Sequence, residues 1–431
     1  MAPDEDVTRA DVAVVGAGMA GLAAAATAAR AGRRVVIVDH RSPGGRARCD
    51  EVDGFTFNQG PRALYRSGAG RRVLDDLGVD WDTGGQPVLR GAMGRRDGRL
   101  HLLPQGPGSL LRTGLLGAAD KVRVARLLGG IGRADQVSRA EGKTVREWVA
   151  DVAPSPAVAE LLHTLVRLTT YTDAPDVLDA AAAVANVQSG LDPGVSYIDG
   201  GWQSLVDGLL AAVTESGGQV LARRVDQVTS GETGATISTP DGHLSAASVV
   251  VAAGGPEAAA RLLGRRPEGW DSIGPPATAA CLELGLRRPP PTRVVLGLDE
   301  PLYLSTHCPP ARLAPDGGAV VHAIRYQSDG EELSPDEQRA HLRAVVRQAG
   351  IGDDDVVTER FLARMVVATA IPTAAGGGLA GRPGTQVPGL PATFVAGDWV
   401  GPEGLLADAA LASGADAGRR AAAMAATLTA A

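Results

Sequence analysis

The stretch from residue 12 to residue 46 constrains the fold of this chain more than any other feature. Residues 12–15 form an apolar, β-branched run, which is typical of a strand buried on both faces of a parallel sheet. The run leads directly into a glycine turn, then into an alanine-rich stretch over 22–31, and then into a second apolar run over 35–38. This order predicts a strand, a turn, a helix and a second strand, the βαβ unit of an α/β fold.

The glycines of the turn have the spacing that dinucleotide-binding units use. Gly16 makes the tight turn, Gly18 lets a pyrophosphate approach the backbone, and Gly21 lets the helix pack close to the strand. The helix N-terminus then faces the pyrophosphate with its free amides. Asp39 closes the second strand, roughly 20 residues after the first glycine, where an acid accepts hydrogen bonds from an adenosine ribose. The stretch therefore predicts dinucleotide binding.

Composition narrows the classes of function. The chain has 431 residues, a net charge of −7 and a sequence pI of about 5.6, so we expect no overall attraction to nucleic acid. Cys49, Cys281 and Cys308 are widely separated, without CxxC or metal-ligand spacing, which favours reduced thiols, a cytoplasmic setting and no metal site. The N-terminus at residues 1–6 is acidic and the first apolar run is the predicted strand itself, so we expect no signal peptide. We expect no transmembrane segment either, because no apolar run reaches about 20 residues.

The residues after Asp39 distinguish between dinucleotides. Gly44, Gly45 and Arg46 follow almost at once, where an NAD enzyme would continue its sheet. This arrangement resembles the GG motif of FAD-dependent amine oxidases, protoporphyrinogen oxidases and phytoene desaturases. In that superfamily the paired glycines and the arginine approach the FAD pyrophosphate. The segment 54–61, which ends in Gly-Pro, resembles the one that leads to the flavin ring.

The resemblance continues to the end of the chain. Residues 200–209 resemble the GGxxxL turn that returns the chain to the FAD domain, and 224–228 the segment whose valine backbone meets the adenine. Residues 391–399 read as a strand that ends in Gly-Asp, and 404–414 as the start of a helix facing the flavin. These C-terminal segments are most similar to those of bacterial phytoene dehydrogenase-like oxidoreductases. Asp398 alone would also suit a plain helix cap.

The resemblance implies FAD bound without a covalent link, since no cysteine lies near the C-terminal flavin motif. The positions that it assigns to the cofactor in the first stretch are Gly16, Gly18, Met19, Ala20, Gly21, Asp39, His40, Arg41, Gly44, Gly45, Arg46, Gly60, Pro61 and Arg62. Those in the middle and at the end are Val225, Ala253, Gly254, Gly397, Asp398, Leu406, Ala407 and Ala410.

The fold class that follows is α/β, with a Rossmann-like FAD-binding domain (GR2-type flavoprotein) interleaved with an α+β substrate domain. We expect the FAD-binding domain at 1–90, 199–270 and 381–431, and the substrate domain at 91–198 and 271–380. In the substrate domain the sequence predicts a hairpin with Asp97-Gly98 as its turn, helices over 157–170 and 176–188, and a mixed sheet between 281 and 370.

The resemblance implies an enzyme that removes a hydride from a mainly apolar small molecule and forms C=C or C=N, with O2 or a quinone as electron acceptor. A flavin amine oxidase is the alternative. Such oxidases carry a lysine near the flavin in later strands, whereas the two lysines here are Lys121 and Lys143, and aromatic residues make up only 3%. A second alternative is a non-catalytic binding protein like the Rab GDP-dissociation inhibitors.

Catalytic residues are not identified by the sequence. The pocket candidates are Arg62, Tyr65, Arg167, Tyr171 and Trp399. Arg62 would anchor a carboxylate, stabilise reduced flavin, contact the pyrophosphate or serve a structural ion pair. The others would line the pocket or pack in the core. The basic helical stretch near 109–130 would contact a membrane surface or pack as an ordinary amphipathic helix of the substrate domain. The substrate, the acceptor and the oligomeric state stay open.

Overall fold

The computed structural model describes residues 9–231, 233–328 and 333–430, so the acidic N-terminus at residues 1–6 lies outside it. In chain order the strands are β1 (Arg9–Val15), β2 (Val35–Val38), β3 (Cys49–Val52), β4 (Phe55–Asn58), β5 (Leu64–Tyr65), β6 (Met93–Arg96), β7 (Arg99–Leu102), β8 (Val195–Ser196), β9 (Gln219–Leu221), β10 (Gln227–Gly231), β11 (Gly234–Thr239), β12 (Gly242–Val251), β13 (Ala277–Leu286), β14 (Val294–Gly297), β15 (Leu302–Cys308), β16 (Ala319–Gln327), β17 (Val356–Ala368) and β18 (Thr393–Val395).

The helices follow the same order. They are α1 (Met19–Arg30), α2 (Ala69–Asp76), α3 (Pro107–Arg112), α4 (Ala118–Ile131), α5 (Asp135–Ala140), α6 (Val145–Val152), α7 (Pro156–Thr170), α8 (Ala180–Leu191), α9 (Gln203–Glu215), α10 (Pro256–Leu262), α11 (Pro335–Gln348) and α12 (Leu406–Ala430). Among the described residues no helix combines the length and the apolar character needed to cross a membrane.

The first sheet has the order β10-β11-β12-β1-β2-β9, and β18 pairs with β12. Strands β18, β12, β1, β2 and β9 run parallel, whereas β10 and β11 form an antiparallel extension. The predicted strand–turn–helix–strand unit is present as β1, α1 and β2. The sheet collects strands from the start, the middle and the end of the chain, which places the carboxyl ends of β1, β2 and β18 along one edge.

One face of this sheet is covered by α1, α9 and α12, which share a core of small and branched side chains. The contact between α1 and α12 is very close, because a Cβ atom on Gly414 would lie 2.3 Å from the Ala20 carbonyl oxygen. The same distance separates a Cβ on Gly418 from the carbonyl oxygen of Ala24. Glycine at these two positions lets the helix backbones touch.

The second sheet has the order β17-β13-β16-β15-β14-β6-β7. It is mixed, as predicted, because β6 pairs parallel with β14 while the other pairs are antiparallel. Helices α7 and α8 pack on one face and α11 on the other. The Asp97-Gly98 turn joins β6 to β7, and Asp97 has a positive φ of 49°.

Several predicted elements differ in extent. The helix predicted over 176–188 is wrong at its start: α8 begins at Ala180, because the Asp179 side chain accepts a hydrogen bond from the Ala182 amide and caps the helix. The strand predicted over 391–399 is reduced to Thr393–Val395. The division into domains at the residues given above stays a prediction.

The close contact of α1 and α12 leads to a test of stability. Changing Gly418 to Ala should lower the free energy of unfolding by roughly 1–3 kcal/mol, since the new methyl group meets a backbone carbonyl that cannot move aside. Chemical denaturation at saturating FAD measures the change. The matched control is Gly129→Ala in α4, where a Cβ would meet nothing within 4 Å. That variant should be neutral or gain up to about 1 kcal/mol from helix propensity. Equal effects of the two substitutions would contradict the packing argument.

Candidate functional site

The glycine turn after β1 forms one wall of a large cavity. Gly16 has φ +104°, and a Cβ on Gly21 would lie 1.9 Å from the Gly16 carbonyl oxygen, so both positions require glycine. Gly18 caps α1 in an extended conformation, and a Cβ there would meet no atom within 4 Å. The α1 N-terminus, which has no acidic residue in its first turn, therefore borders open space beside Gly18.

Asp39 lies at the edge of this cavity, at the end of β2. Its carboxylate accepts hydrogen bonds from the amides of Ala17 (2.8 Å) and Arg41 (2.9 Å). These bonds fix the acid beside the glycine turn, while its side chain stays 20% exposed. Asp39 thus has an exposed edge, in the place where the sequence predicts a ribose contact.

The Gly44-Gly45-Arg46 turn closes over the glycine turn. The Gly44 amide donates to the Ala17 carbonyl at 2.7 Å, and Gly44 pairs with Gly18 in an isolated bridge. Arg46 then extends to the other end of the chain, where its guanidinium contacts the Asp398 carboxylate at 2.9 Å and the Val367 carbonyl at 3.0 Å. The Gly44-Gly45-Arg46 motif is therefore held against β17 and the segment that follows β18.

Asp398 follows β18 and is only 3% exposed. It accepts hydrogen bonds from the Thr369 amide (3.0 Å) and the Thr369 hydroxyl, in addition to the Arg46 guanidinium. Burial favours a raised pKa, but Arg46 and the two Thr369 donors outweigh it and hold the pKa of Asp398 below its usual value. Asp398 is thus an ionised carboxylate that joins three segments of the chain.

Arg62 lines the cavity beyond the Gly60-Pro61 turn. Its guanidinium donates to the carbonyls of Arg46 (3.0 Å) and Gln59 (3.2 Å) and lies 5.8 Å from the Trp202 ring centroid. Among the described residues no carboxylate lies within ion-pair distance of it. Burial and the neighbouring Arg46 lower the pKa of Arg62 to about 10, so it stays a cation at neutral pH.

All five tyrosines of the chain gather near this part of the cavity. Tyr171 lines the cavity and packs edge-on against Tyr303 and Tyr326, with both ring centroids at 6.4 Å. It ends α7 in the left-handed region, with φ 54°. Tyr65 also lines the cavity, although its hydroxyl donates to the Thr169 carbonyl at 2.7 Å. We call the region lined by Arg62, Tyr65, Tyr171 and Met365 the Arg62 end of the cavity.

The cavity has a volume of about 680 Å³. Every residue predicted above to bind the cofactor lines it, except Gly21 and Gly60. Gly21 packs under the turn, as predicted, and Gly60 lies behind the wall, where a Cβ would come within 2.3 Å of the Met365 sulfur. The predicted positions are thus brought together although they are distributed over most of the chain.

Two of the five pocket candidates lie elsewhere. Trp399 is 1% exposed and packs edge-on against Trp270, with ring centroids 4.7 Å apart. Arg167 donates to the carbonyls of Gly297 and Leu298, both at 3.0 Å, and so caps the end of β14. Neither lines the cavity. Both therefore have a structural role in place of the predicted pocket role.

The sequence analysis missed several lining residues. They are Trp202, Arg223, Met365, Thr369 and Asp408. Met365 and Thr369 fall in and just after a long strand whose pattern gives no sign of a ligand. Asp408 lies within residues 404–414, the segment predicted to face the flavin. An acidic residue inside an alanine-rich helix is unusual, and this was the only sign in the sequence of a special role for it. Its carboxylate accepts a hydrogen bond from the Gly70 amide at 2.8 Å and so caps α2.

One group of potential metal ligands lies behind the cavity wall. Cys281, Glu283 and His322 are buried, and their ligand atoms lie within 4.8 Å of one another. Both carboxylate oxygens of Glu283 are already bonded, one to the Gly60 amide and one to Arg360. A guanidinium beside the carboxylate opposes a second cation, so the group does not suit a metal ion.

Residues 19–423 match the family described as flavin containing amine oxidoreductase. The chain belongs to this family. The match spans almost all of the described residues: it begins at the first residue of α1, just after Gly18, and ends within α12. The FAD-dependent superfamily that the motifs predicted is therefore confirmed, as is the fold class.

Proteins of known structure show the same fold as this family member. An oxidoreductase from Methanosarcina mazei has a TM-score of 0.72 at 16% identity, with 93% of this chain and 98% of that chain covered. Cyclohexylamine oxidase from Brevibacterium oxydans has a TM-score of 0.70 at 17% identity, with 97% and 99% covered. Coproporphyrinogen III oxidase from Propionibacterium freudenreichii subsp. freudenreichii is 33% identical over 120 residues, which is 26% of this chain and 22% of that protein. The match thus spans about a fifth of that relative.

The cavity fits the family's cofactor, FAD. Gly18 leaves space where a pyrophosphate would approach the backbone, and the lining arginines supply positive charge for it: Arg41, Arg46, Arg48, Arg62, Arg223 and Arg224. No cysteine of the described residues lines the cavity, and the absence of a covalent link to FAD stays a prediction. The family member is therefore an FAD-dependent oxidoreductase. This assignment disfavours the non-catalytic, GDP-dissociation-inhibitor-like alternative.

The open space at Gly18 gives a test of cofactor binding. Changing Gly18 to Leu should weaken FAD binding about tenfold or more, because the side chain enters the cavity while the fold has no atom to clash with. The flavin-to-protein ratio and titration of apoprotein with FAD measure it. Gly117→Leu is the matched control, since Gly117 also caps a helix in an extended conformation and also has nothing within 4 Å. Loss of FAD from both variants would contradict the placement.

Asp408 gives a test by pH. Burial raises the pKa of Asp408 to about 6, from 3.8 in the unfolded chain. The folded state then holds the proton more tightly, so this group's contribution to stability is full below pH 4 and is lost as pH rises to about 6. Asp408→Asn keeps an acceptor for Gly70 and should gain about 1–3 kcal/mol over the parent protein between pH 4 and 7. Urea denaturation at several pH values measures it, and a gain independent of pH would disprove the assignment.

Proposed function

We propose that this flavoenzyme removes a hydride from a mainly apolar, neutral or carboxylate-bearing small molecule and forms a C=C or C=N bond. When bound in the cavity, FAD would supply the hydride acceptor and the two-electron link to O2 or a quinone. What the protein's own residues contribute is binding and orientation. We place the substrate at the Arg62 end of the cavity, because aromatic and apolar side chains line it.

The observation that carries the proposal is the charge at the Arg62 end. Arg62 is a cation with no carboxylate within ion-pair distance among the described residues. A cation in that position attracts an anion, such as a substrate carboxylate, and repels an ammonium group. It would also stabilise negative charge that develops on the flavin when the hydride is transferred.

The acids of the cavity offer an ammonium group no partner. Asp39 bonds two backbone amides, and Asp398 is paired with Arg46. Asp408 accepts a hydrogen bond from the Gly70 amide, and burial raises its pKa to about 6. Each carboxylate already has a partner, which argues against recognition of a charged amine.

Amine oxidation stays the second candidate, because the family is named for it and cyclohexylamine oxidase shares the fold. The two lysines argue against it. Lys121 donates to the Leu111 carbonyl at 2.8 Å, and Lys143 pairs with Asp151 at 2.7 Å. Neither lines the cavity. An amine substrate would therefore be bound in its neutral form, between tyrosine rings.

The architecture predicted from the sequence is part of the proposal. Strands of the first sheet come from the segments assigned to FAD binding, and strands of the second come from those assigned to the substrate, which supports two interleaved domains. Contact of residues 109–130 with lipid stays a prediction, although Leu111 and Val122 are 75% and 52% exposed there. The cytoplasmic setting also stays a prediction.

Flavin reduction under anaerobic conditions tests the reaction. Coproporphyrinogen III, which carries carboxylates, a neutral polyene and cyclohexylamine would each be mixed with the oxidised enzyme while the flavin absorbance is followed. Bleaching by the first or second compound supports the proposal. Bleaching by the amine alone would replace it with amine oxidation. Mixing the reduced enzyme with oxygenated buffer or a quinone then identifies the acceptor.

Arg62 gives the corresponding mutational test. Arg62→Met should raise KM for a carboxylate substrate about 10- to 100-fold, because a charge-assisted hydrogen bond is lost, and should change KM for its methyl ester far less. Arg66→Met is the matched control, since Arg66 is paired with Asp82 at 2.7 Å and does not line the cavity. The same rise for acid and ester would show that Arg62 does not bind the carboxylate.

A further inference from the structure

A row of charged and polar side chains crosses the second sheet behind the Gly60 turn. Glu283 on β13 stands opposite Arg360 on β17 and opposite His322 on β16, and His322 stands opposite Ser305 on β15. Side chains directly opposite one another in antiparallel strands lie on the same face and touch. Glu283, His322 and Ser305 are completely buried. We call these four residues the charged row.

Glu283 is the centre of the row. One carboxylate oxygen accepts a hydrogen bond from the Gly60 amide at 2.7 Å, and the other accepts one from the Arg360 guanidinium at 2.5 Å. Arg360 also bonds Asp50 on β3. A fully buried carboxylate is costly unless it is paired and hydrogen-bonded, and here both conditions are met. The pairs with Arg360 and His322 outweigh burial and hold the pKa of Glu283 below its usual value.

The charged row lies directly behind the cavity wall. Gly60 continues into Pro61 and Arg62, which line the cavity, and it packs under the sulfur of Met365, which lines the cavity as well. Glu283 is therefore one residue removed from the wall. Its field reaches Arg62: burial and Arg46 lower the pKa of Arg62, whereas Glu283 acts in the opposite direction.

Glu283 limits the net positive charge of the cavity wall. Arg62 and Arg360 are cations in this region, and Glu283 is the buried anion beside them. The imidazole of His322 also faces Glu283, with its Nδ1 3.4 Å from the carboxylate, and all the variants described below retain it. Asp50 is 42% exposed, so solvent screens most of its effect. Without Glu283, the wall at the Arg62 end would carry surplus positive charge, and in a region of low dielectric such a charge acts strongly on whatever the cavity holds.

We propose that Glu283 is a positioning residue that fixes the Gly60–Arg62 turn and, with Arg360, sets the reduction potential of the bound FAD. Two-electron reduction adds negative charge to the flavin, so a more positive wall makes reduction easier and a more negative wall makes it harder. The proposal concerns the cofactor and holds for any substrate. It depends on the charge pair of Glu283 and Arg360, two residues that no sequence motif connects.

Three isosteric or near-isosteric variants separate charge from geometry. Glu283→Gln removes the negative charge but keeps an oxygen for the Gly60 amide. Arg360→Gln removes the positive charge. The double variant removes both and restores the sum of the wild-type charges. Glu359→Gln is the matched control: Glu359 also has two arginine partners, Arg339 and Arg343, but it points to the opposite face of the same strand.

The midpoint potential of the FAD-loaded protein, measured by slow anaerobic reduction against a reference dye, is the readout, and it needs no substrate. We expect a more positive potential in Glu283→Gln, a more negative one in Arg360→Gln, and values near wild type in the double variant and in Glu359→Gln. Shifts of the same sign in both single variants, or a double variant shifted as far as either, would overturn the proposal. So would unchanged potentials in all of them.

Flavin content and thermal release of flavin show which variants are folded. If Glu283→Gln does not retain FAD, the proposal is tested by comparing Arg360→Gln with the double variant. In Arg360→Gln the Glu283 carboxylate has lost its arginine partner, so removing that carboxylate as well must return the midpoint potential to near the wild-type value. A failure of the substrate tests described above would leave these potentials unaffected. The two proposals can therefore fail independently.

Discussion

The ion pair between Arg46 and Asp398 holds the two ends of the chain around one cavity. Arg46 follows β2, near the start of the chain, and Asp398 follows β18, near its end. Because Asp398 is buried, it needs its donors, and Thr369 from the end of the second sheet supplies the others. One carboxylate thus fixes the Gly44–Arg46 turn, the end of the second sheet and the segment after β18 relative to one another. The shape of the cofactor cavity depends on that junction.

The sequence predicted the cavity well where the signal is local. Gly16 and Gly21 stand where the fold has no room for a side chain, and Gly18 leaves open space for a ligand, so the spacing of the three identifies the turn without knowledge of the fold. The sequence predicted poorly where a role depends on a distant partner. Arg167 and Trp399 were judged by residue type and neighbourhood, yet a carbonyl at the end of β14 and the ring of Trp270 decide where they point. Met365 reaches the wall only through strand pairing.

Charge is distributed unevenly around the cavity, and this distribution decides which molecules the cavity suits more than its volume does. The acids that line it are bound to arginines or backbone amides, whereas several arginines face the space itself. Such a lining suits an anionic cofactor at one end and leaves positive potential at the other. The surplus is limited by anions behind the wall, Glu283 above all. The protein therefore controls the chemistry of the site through residues that do not touch it.

The contact between α1 and α12 affects how the chain folds as it is synthesised. Helix α1 leaves the ribosome long before the surface that buries its alanines, with Gly414 and Gly418 against Ala20 and Ala24, is made. Strand β18, which completes the first sheet, also comes late. During most of translation the nascent chain therefore carries an apolar helix and an incomplete sheet, a state that favours aggregation. Removing α12 would therefore not give a smaller stable domain, because α1 would be left without its packing partner.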